Sequence, residues 1–197
     1  MTIGILISVV LGALFGHFLM PEAFCLVSGD LLIAGLCVLL FFVGKDLGRD
    51  GTVVASFKKV GARVLIFPFA IIFGTLLSAF LISLVLPVTA RESMAVSAGL
   101  GWYTLAPIIL SKYSAEISAL SFMYNVMREL LGIVLIPFVA KYIGFIECVG
   151  LPGSASMDVC LPIVERATSP NITIYSFVSG VVMSISVPIL VPLLIGL

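Results

Sequence analysis

The sequence predicts an all-α integral membrane protein of about seven transmembrane segments, two of them discontinuous, with the build of a transporter. Three observations carry that prediction. Of the 197 residues, 61% are hydrophobic and only 10% charged, and mean hydropathy is +1.32. A water-soluble domain carries roughly 25% charged residues, so this chain is solvated by lipid. Residues 2–21, 64–90, 93–111 and 167–197 contain no Asp, Glu, Lys or Arg. Each approaches the ~20 apolar residues that cross a hydrocarbon core of about 30 Å as helix. These runs also lack the alternation of barrel strands, and in lipid the backbone must then bond within its own segment, as helix.

The segments fall at about 2–20, 27–44, 64–87, 93–111, 116–140, 148–165 and 171–196, and residues 1–197 read as a single membrane domain. No basic residue precedes the first apolar run, so it is expected to remain as a span and not to act as a cleaved signal peptide. The polar loop at 45–63 holds Lys45, Arg49, Lys58, Lys59 and Arg63 against Asp46 and Asp50. The positive-inside rule makes it cytoplasmic. If segments four and six cross fully, Lys112 and Arg166 fall inside and Arg91 and Lys141 outside. That places the N-terminus in the cytoplasm and the C-terminus outside, in the inner membrane of the cell.

Formal net charge is zero, so no basic excess points to nucleic acid. Cys25, Cys37, Cys148 and Cys160 have no paired spacing and read as small apolar core residues. His17, the only histidine, reads as a packing or hydrogen-bonding residue. No metal or cofactor is expected beyond a coupling proton or sodium ion.

Segments four and six look interrupted. The fourth, SAGLGWYTLAPIIL, has Gly99, Gly101 and Pro107 in its middle; the sixth, CVGLPGSASMDVCLP, has Gly150, Pro152, Gly153 and Pro162 around Ser154, Ser156 and Asp158. Gly and Pro break helical hydrogen bonding, and the freed groups must meet protein, ligand or water. Secondary transporters build substrate and ion sites from such breaks, although ordinary kinks have the same composition. Trp102 and Tyr103 follow the glycines of segment four, and their mid-segment place makes them ligand contacts or packing residues. Asp30, near the outer end of segment two, is expected to reach the interface.

Segment five carries Arg128 and Glu129 at its centre, with eleven uncharged residues on either side. A charge at that depth costs at least ~2.5–3.5 kcal/mol on insertion scales, so both side chains should face protein or a wet cavity. Ser121, Asn125 and Glu129 lie four apart and form one polar stripe, with Arg128 three residues after Asn125. Neighbours on a helix diverge by about 100°, which makes Arg128 and Glu129 poor partners for each other. Asp158 is a natural partner for Arg128, and a purely structural Arg128–Asp158 bridge is the rival to a transport site. A buried carboxylate beside glycines and serines suits a proton-coupled site.

At SAGLGWYTLAP, SFMYNVMRELLGIVLIP and GLPGSASMDVCLPIVER, and at LLFFVGKDLGRDG before them, the sequence resembles the LysO-type lysine exporter family over about residues 30 to 197. More loosely it is similar to the bile-acid and arsenite transporter superfamily, with its crossed discontinuous helices. The family resemblance implies export of L-lysine and its analogues, with Asp158 as the intramembrane acid needed for transport. Asn125, Arg128 and Glu129 match the family's polar helix. The chain resembles the C-terminal part of longer members, so a separately encoded N-terminal membrane subunit, or a homo-oligomer, is expected as partner. Lysine carries a net charge of +1; Asp158 and Glu129 against Arg128 sum to −1, so bound lysine neutralises the set. Arg128, or a half-helix N-terminus, is placed to take the substrate carboxylate. Exchange for a proton would remove the electrical cost of exporting a cation, about 2.3 kcal/mol per 100 mV. A sodium-coupled carrier and a non-transporting assembly subunit remain alternatives. An intramembrane hydrolase lacks the paired catalytic groups it needs, so the protein is not expected to be an enzyme.

Overall fold

The computed structural model describes residues 63–196, with isolated helical positions at 7, 11, 12, 14–16, 18, 34, 38, 41 and 45. The chain divides into two compact units, Met1–Val53 and Val54–Leu197. In the first, the described positions are helical; His17, Cys25, Asp30 and Cys37 lie outside the described residues.

The second unit contains α1 (Arg63–Ser83), α2 (Ala90–Ser97), α3 (Leu105–Leu110) and α4 (Ala115–Tyr142). Two 3₁₀ turns follow, at Glu147–Gly150 and Gly153–Met157, and then α5 (Leu161–Ala167) and α6 (Pro170–Ile195). No strand occurs among the described residues. Three helices are long and apolar enough to cross a membrane: Val64–Ser83, Ala115–Tyr142 and Pro170–Ile195. They turn large apolar side chains outward, with Ile66 68%, Phe73 68% and Leu193 71% exposed, an arrangement stable in lipid and not in water.

Local chemistry sets the helix ends. Thr89 and Glu92 form a capping box on α2: Glu92 N–H donates to Thr89 Oγ1 at 3.3 Å, and Thr89 N–H donates to Glu92 Oε2 at 3.0 Å. Thr89 Oγ1 and then Thr89 N–H, both donating to the Glu92 carboxylate, hold that carboxyl below its ordinary range. The cap is therefore in place above that range and fades as pH falls below it. In α4, Ser114 caps the first turn, which carries Glu116, and Lys141 sits in the last turn, as the helix dipole favours.

Segments four and six are not continuous helices. In segment four the chain turns back on itself, because Tyr113 Oη donates to Glu92 Oε1 at 3.1 Å. The segment thus begins and ends at the same place. Ser93 Oγ donates to the Ala79 carbonyl near the end of α1, and Ser118 Oγ of α4 donates to the Pro107 carbonyl of α3. Segment six turns back at the opposite end of the unit. Cys148 and Val149 from its incoming arm and Val164 from its outgoing arm share one apolar cluster with Ile136 and Ala140 of α4. Phe67 at the start of α1 and Ile172 at the start of α6 pack against that cluster. Each long helix, α1 and then α4, is thus followed by a broken hairpin, and the two hairpins come in from opposite ends.

Their tips meet in the middle. Ser154 N–H donates to the Leu100 carbonyl at 2.7 Å. Gly101 (φ +94°) lies against Pro152, where an added Cβ would stand 2.5 Å from the Pro152 carbonyl oxygen; at Gly153 (φ +69°) it would run into the Leu100 carbonyl. Only glycine tolerates that backbone conformation and that approach. Gly101→Ala and Gly153→Ala should each destabilise the protein by at least about 1–3 kcal/mol from backbone strain alone. Gly74→Ala, where a Cβ meets open space, should not. Thermal unfolding in detergent checks this, and equal melting temperatures for all three variants would contradict the tip geometry.

Candidate functional site at the hairpin tips

Helix α4 runs past both tips and presents a different residue to each partner. Asn125, fully buried, serves the first hairpin. Its Oδ1 accepts from Gly101 N–H at 2.7 Å, and its Nδ2 donates to the Ser121 carbonyl at 2.8 Å, to Ser121 Oγ at 3.2 Å and to the Val96 carbonyl at 3.4 Å. Its polar atoms satisfy groups that the helix break has freed. Gly99 lets the amide come this close, since a Cβ there would collide with it.

Arg128, three residues on, serves the second hairpin. Nε donates to the Leu151 carbonyl at 3.1 Å, and Nη2 donates to the Gly150 carbonyl at 3.2 Å and to Thr75 Oγ1 of α1 at 3.4 Å. Nη1 is buried without a hydrogen-bond partner. The expected pairing of Arg128 with Asp158 is therefore corrected: the guanidinium bonds to carbonyls. The physical reason is that unwound backbone supplies acceptors nearer to Arg128 than the carboxylate is, and in lipid those acceptors must be satisfied.

Glu129 is rotated about 100° from Arg128 around the helix. Its carboxylate lies within electrostatic reach of Asp158, and both act on the Tyr103 hydroxyl and the buried Cys160 thiol. Asp158 closes the second 3₁₀ turn, and its Oδ1 accepts from Val159 N–H at 2.7 Å. No basic side chain contributes to the electrostatics of either carboxylate. Two half-buried acids thus share one neighbourhood with an aromatic hydroxyl and no cation among the described residues. The Tyr103 ring packs edge-on to Phe122, centroids 6.3 Å apart, and Trp102 packs on the apolar cluster around α2 and α3.

The two serines stand apart from this set. Ser154 contributes its backbone N–H to the tip contact. Ser156 Oγ donates to the Ser176 carbonyl at 2.9 Å while Ser176 Oγ returns a bond to the Ser156 carbonyl at 2.7 Å. That exchange fastens the second hairpin to α6, as does Gly180, which accommodates Met157. Sequence reasoning missed Thr75 and Ser176. Thr173, Ser176 and Ser179, spaced by three in an uncharged span and all fully buried, were the available signal for Ser176. Thr75 is one hydroxyl in an apolar run and carries no such signal. A cavity of about 740 Å³ opens between α1 and α4, edged by Thr75, Ser78, Ser97, Tyr124 and Arg128; neither Glu129 nor Asp158 lines it. The described residues hold no cluster of three or more metal-binding side chains. Cys148 and Cys160 are free and buried.

Broken hairpins that meet in the middle of an all-helical unit are a build from which secondary transporters form substrate and ion sites. The chain belongs to the family described as "Lysine exporter LysO", which it matches over residues 6–195. It is 29% identical over 157 residues to the "Lysine exporter LysO" of Escherichia coli (strain K12), covering 79% of this chain and 52% of that protein. It is 28% identical over 159 residues to a "Putative lysine exporter" of Haemophilus influenzae, covering 79% of each. The chain thus spans about half the length of the Escherichia coli relative. No solved structure matches it.

Asn125→Ala leaves the buried Gly101 N–H without an acceptor and should cost about 1–3 kcal/mol. Thermal unfolding in detergent measures the loss; a change under about 0.5 kcal/mol would contradict the clamp.

Proposed function

We propose that the protein is a secondary transporter that exports L-lysine across the inner membrane in exchange for protons. The observation that carries this is the pair Glu129 and Asp158, within electrostatic reach of each other, half-buried and without a basic partner among the described residues. Two bare carboxylates in lipid are costly, and a proton or a cationic substrate relieves that cost. Proton and lysine thereby compete for one place, which is the requirement for antiport. Tyr103 supplies aromatic surface near the acids, suited to an ammonium on an aliphatic stem. One proton in for one lysine out leaves no net charge movement, so the pH gradient drives the cycle.

In this reading the broken segments are re-entrant hairpins, and the membrane is crossed by α1, α4, α6 and the two expected spans at 2–20 and 27–44. Lys141 and Arg166 then join the basic loop on the cytoplasmic side, and Arg91 and Lys112 lie outside. The basic excess stays at seven to two, the N-terminus stays in the cytoplasm and the C-terminus outside. A membrane partner, either a separately encoded N-terminal subunit or a second copy, completes the proposal.

In proteoliposomes with an imposed proton gradient, lysine flux should fall to background in Asp158→Asn and in Glu129→Gln, with both proteins still inserted. It should not depend on sodium. Undiminished flux in Asp158→Asn would refute the site, and a sodium requirement would favour a sodium-coupled carrier. Cysteines introduced by Arg91→Cys and Lys112→Cys should both react with an impermeant thiol reagent from the outer face; reaction from opposite faces would show a full crossing.

A further inference from the structure

We propose that Arg128 is a positioning residue for Asp158, and that it does not hold the substrate's carboxylate. The inference takes the transport reading for its consequence in flux, but its geometry stands apart from that reading. Arg128 bonds to two consecutive carbonyls, Gly150 and Leu151, and to Thr75. One guanidinium therefore ties α1, α4 and the incoming arm of the second hairpin at the point where that arm unwinds. Its planar fork suits this task, since two nitrogens reach neighbouring acceptors together. The remaining nitrogen, Nη1, has no hydrogen-bond partner among the described residues, and the cavity that Arg128 edges is lined by neither Glu129 nor Asp158, so a carboxylate held there would lie apart from the two acids.

From that clamp the chain runs a short, constrained course to Asp158. Pro152 stands against Gly132 of α4 and beneath Gly101. Gly153 makes the left-handed turn, Ser154 N–H bonds to Leu100, and Ser156 is fastened to Ser176. Between Leu151 and Asp158 the backbone is held on both sides, and the guanidinium is the fixed point from which that course starts. Without it the Gly150 and Leu151 carbonyls lose their donors, and the hairpin carrying Asp158 is free to open locally. Cys160, fully buried and two residues beyond Asp158, reports on that opening.

The test uses the full chain in native membranes, with Cys25→Ser, Cys37→Ser and Cys148→Ser leaving Cys160 as the only thiol. With no lysine present, Arg128→Met should raise the rate of Cys160 alkylation by N-ethylmaleimide about tenfold or more, as local opening does for protected groups. Arg128→Lys should raise it less, and Glu116→Gln, on the exposed first turn of α4, should leave it unchanged. If Arg128→Met does not reach the membrane, Arg128→Lys decides the point by the same measurement. An unchanged alkylation rate overturns the proposal. A second readout separates positioning from substrate contact: competition against lysine counterflow by lysinamide, which lacks the carboxylate. For Arg128→Lys the ratio of the lysinamide and lysine inhibition constants should match the unsubstituted protein. A fall in that ratio of about tenfold, the worth of a lost charge-assisted bond, overturns the proposal. If the unsubstituted chain moves no lysine, the transport reading fails, while the alkylation arm still decides the role of Arg128.

Discussion

The structure depends on one backbone contact, the Ser154 N–H to Leu100 carbonyl bond where the two hairpin tips meet, with Gly101 and Gly153 letting the chains approach. In water such a bond would replace two solvent bonds and contribute little. In lipid there is no solvent to fall back on, and each unwound segment exposes carbonyls and N–H groups that must be met by protein. Each tip satisfies part of the other's requirement, Asn125 satisfies the first from the side, and Arg128 satisfies the second. Neither hairpin is stable at that depth alone. This mutual requirement is what makes unwound backbone tolerable at the centre of the unit.

The division of labour on α4 follows from helix geometry. Asn125 and Arg128 are three residues apart and hold one hairpin each; Glu129 is turned about 100° from Arg128 and lies within electrostatic reach of Asp158. One stripe of polar residues thus contains two structural clamps and one member of the proposed site. The positive charge spent on carbonyls is a charge withheld from the carboxylates. Had Arg128 bridged Asp158, that pair would have been neutral and only Glu129 would have been left to meet a cation. Its engagement elsewhere leaves a net negative locus in an otherwise apolar unit, and the proposed exchange of lysine and proton rests on that electrostatic basis.

Much of this was legible in the sequence, for reasons that differ from residue to residue. The long helices were legible because an uncharged run is a local property, and α1, α4 and α6 lie close to the expected segments at 64–87, 116–140 and 171–196. The breaks at Gly101 and Gly153 were legible because glycine and proline act on their own segment. Whether a broken segment crosses or turns back was not, since both need the same composition. Glu92 and Tyr113, 21 residues apart, bring the two ends of segment four together by a contact that no local pattern records. The charge bias does not separate the two cases, because the proposed re-entrant arrangement would exchange Lys112 for Lys141 and leave the count unchanged. The stripe of Asn125 and Glu129 was legible from its period, whereas the partner of Arg128 was not, because a carbonyl freed by unwinding belongs to every residue type alike.

The claim at the centre is that lysine and a proton take turns on the Glu129–Asp158 pair. Calorimetric titration of lysine into the detergent-purified protein, repeated in buffers of different ionisation enthalpy, measures the protons released on binding. A pair that exchanges its proton for the substrate releases about one proton per lysine bound near neutral pH, and none in Asp158→Asn. Lysine binding without any proton release would contradict it.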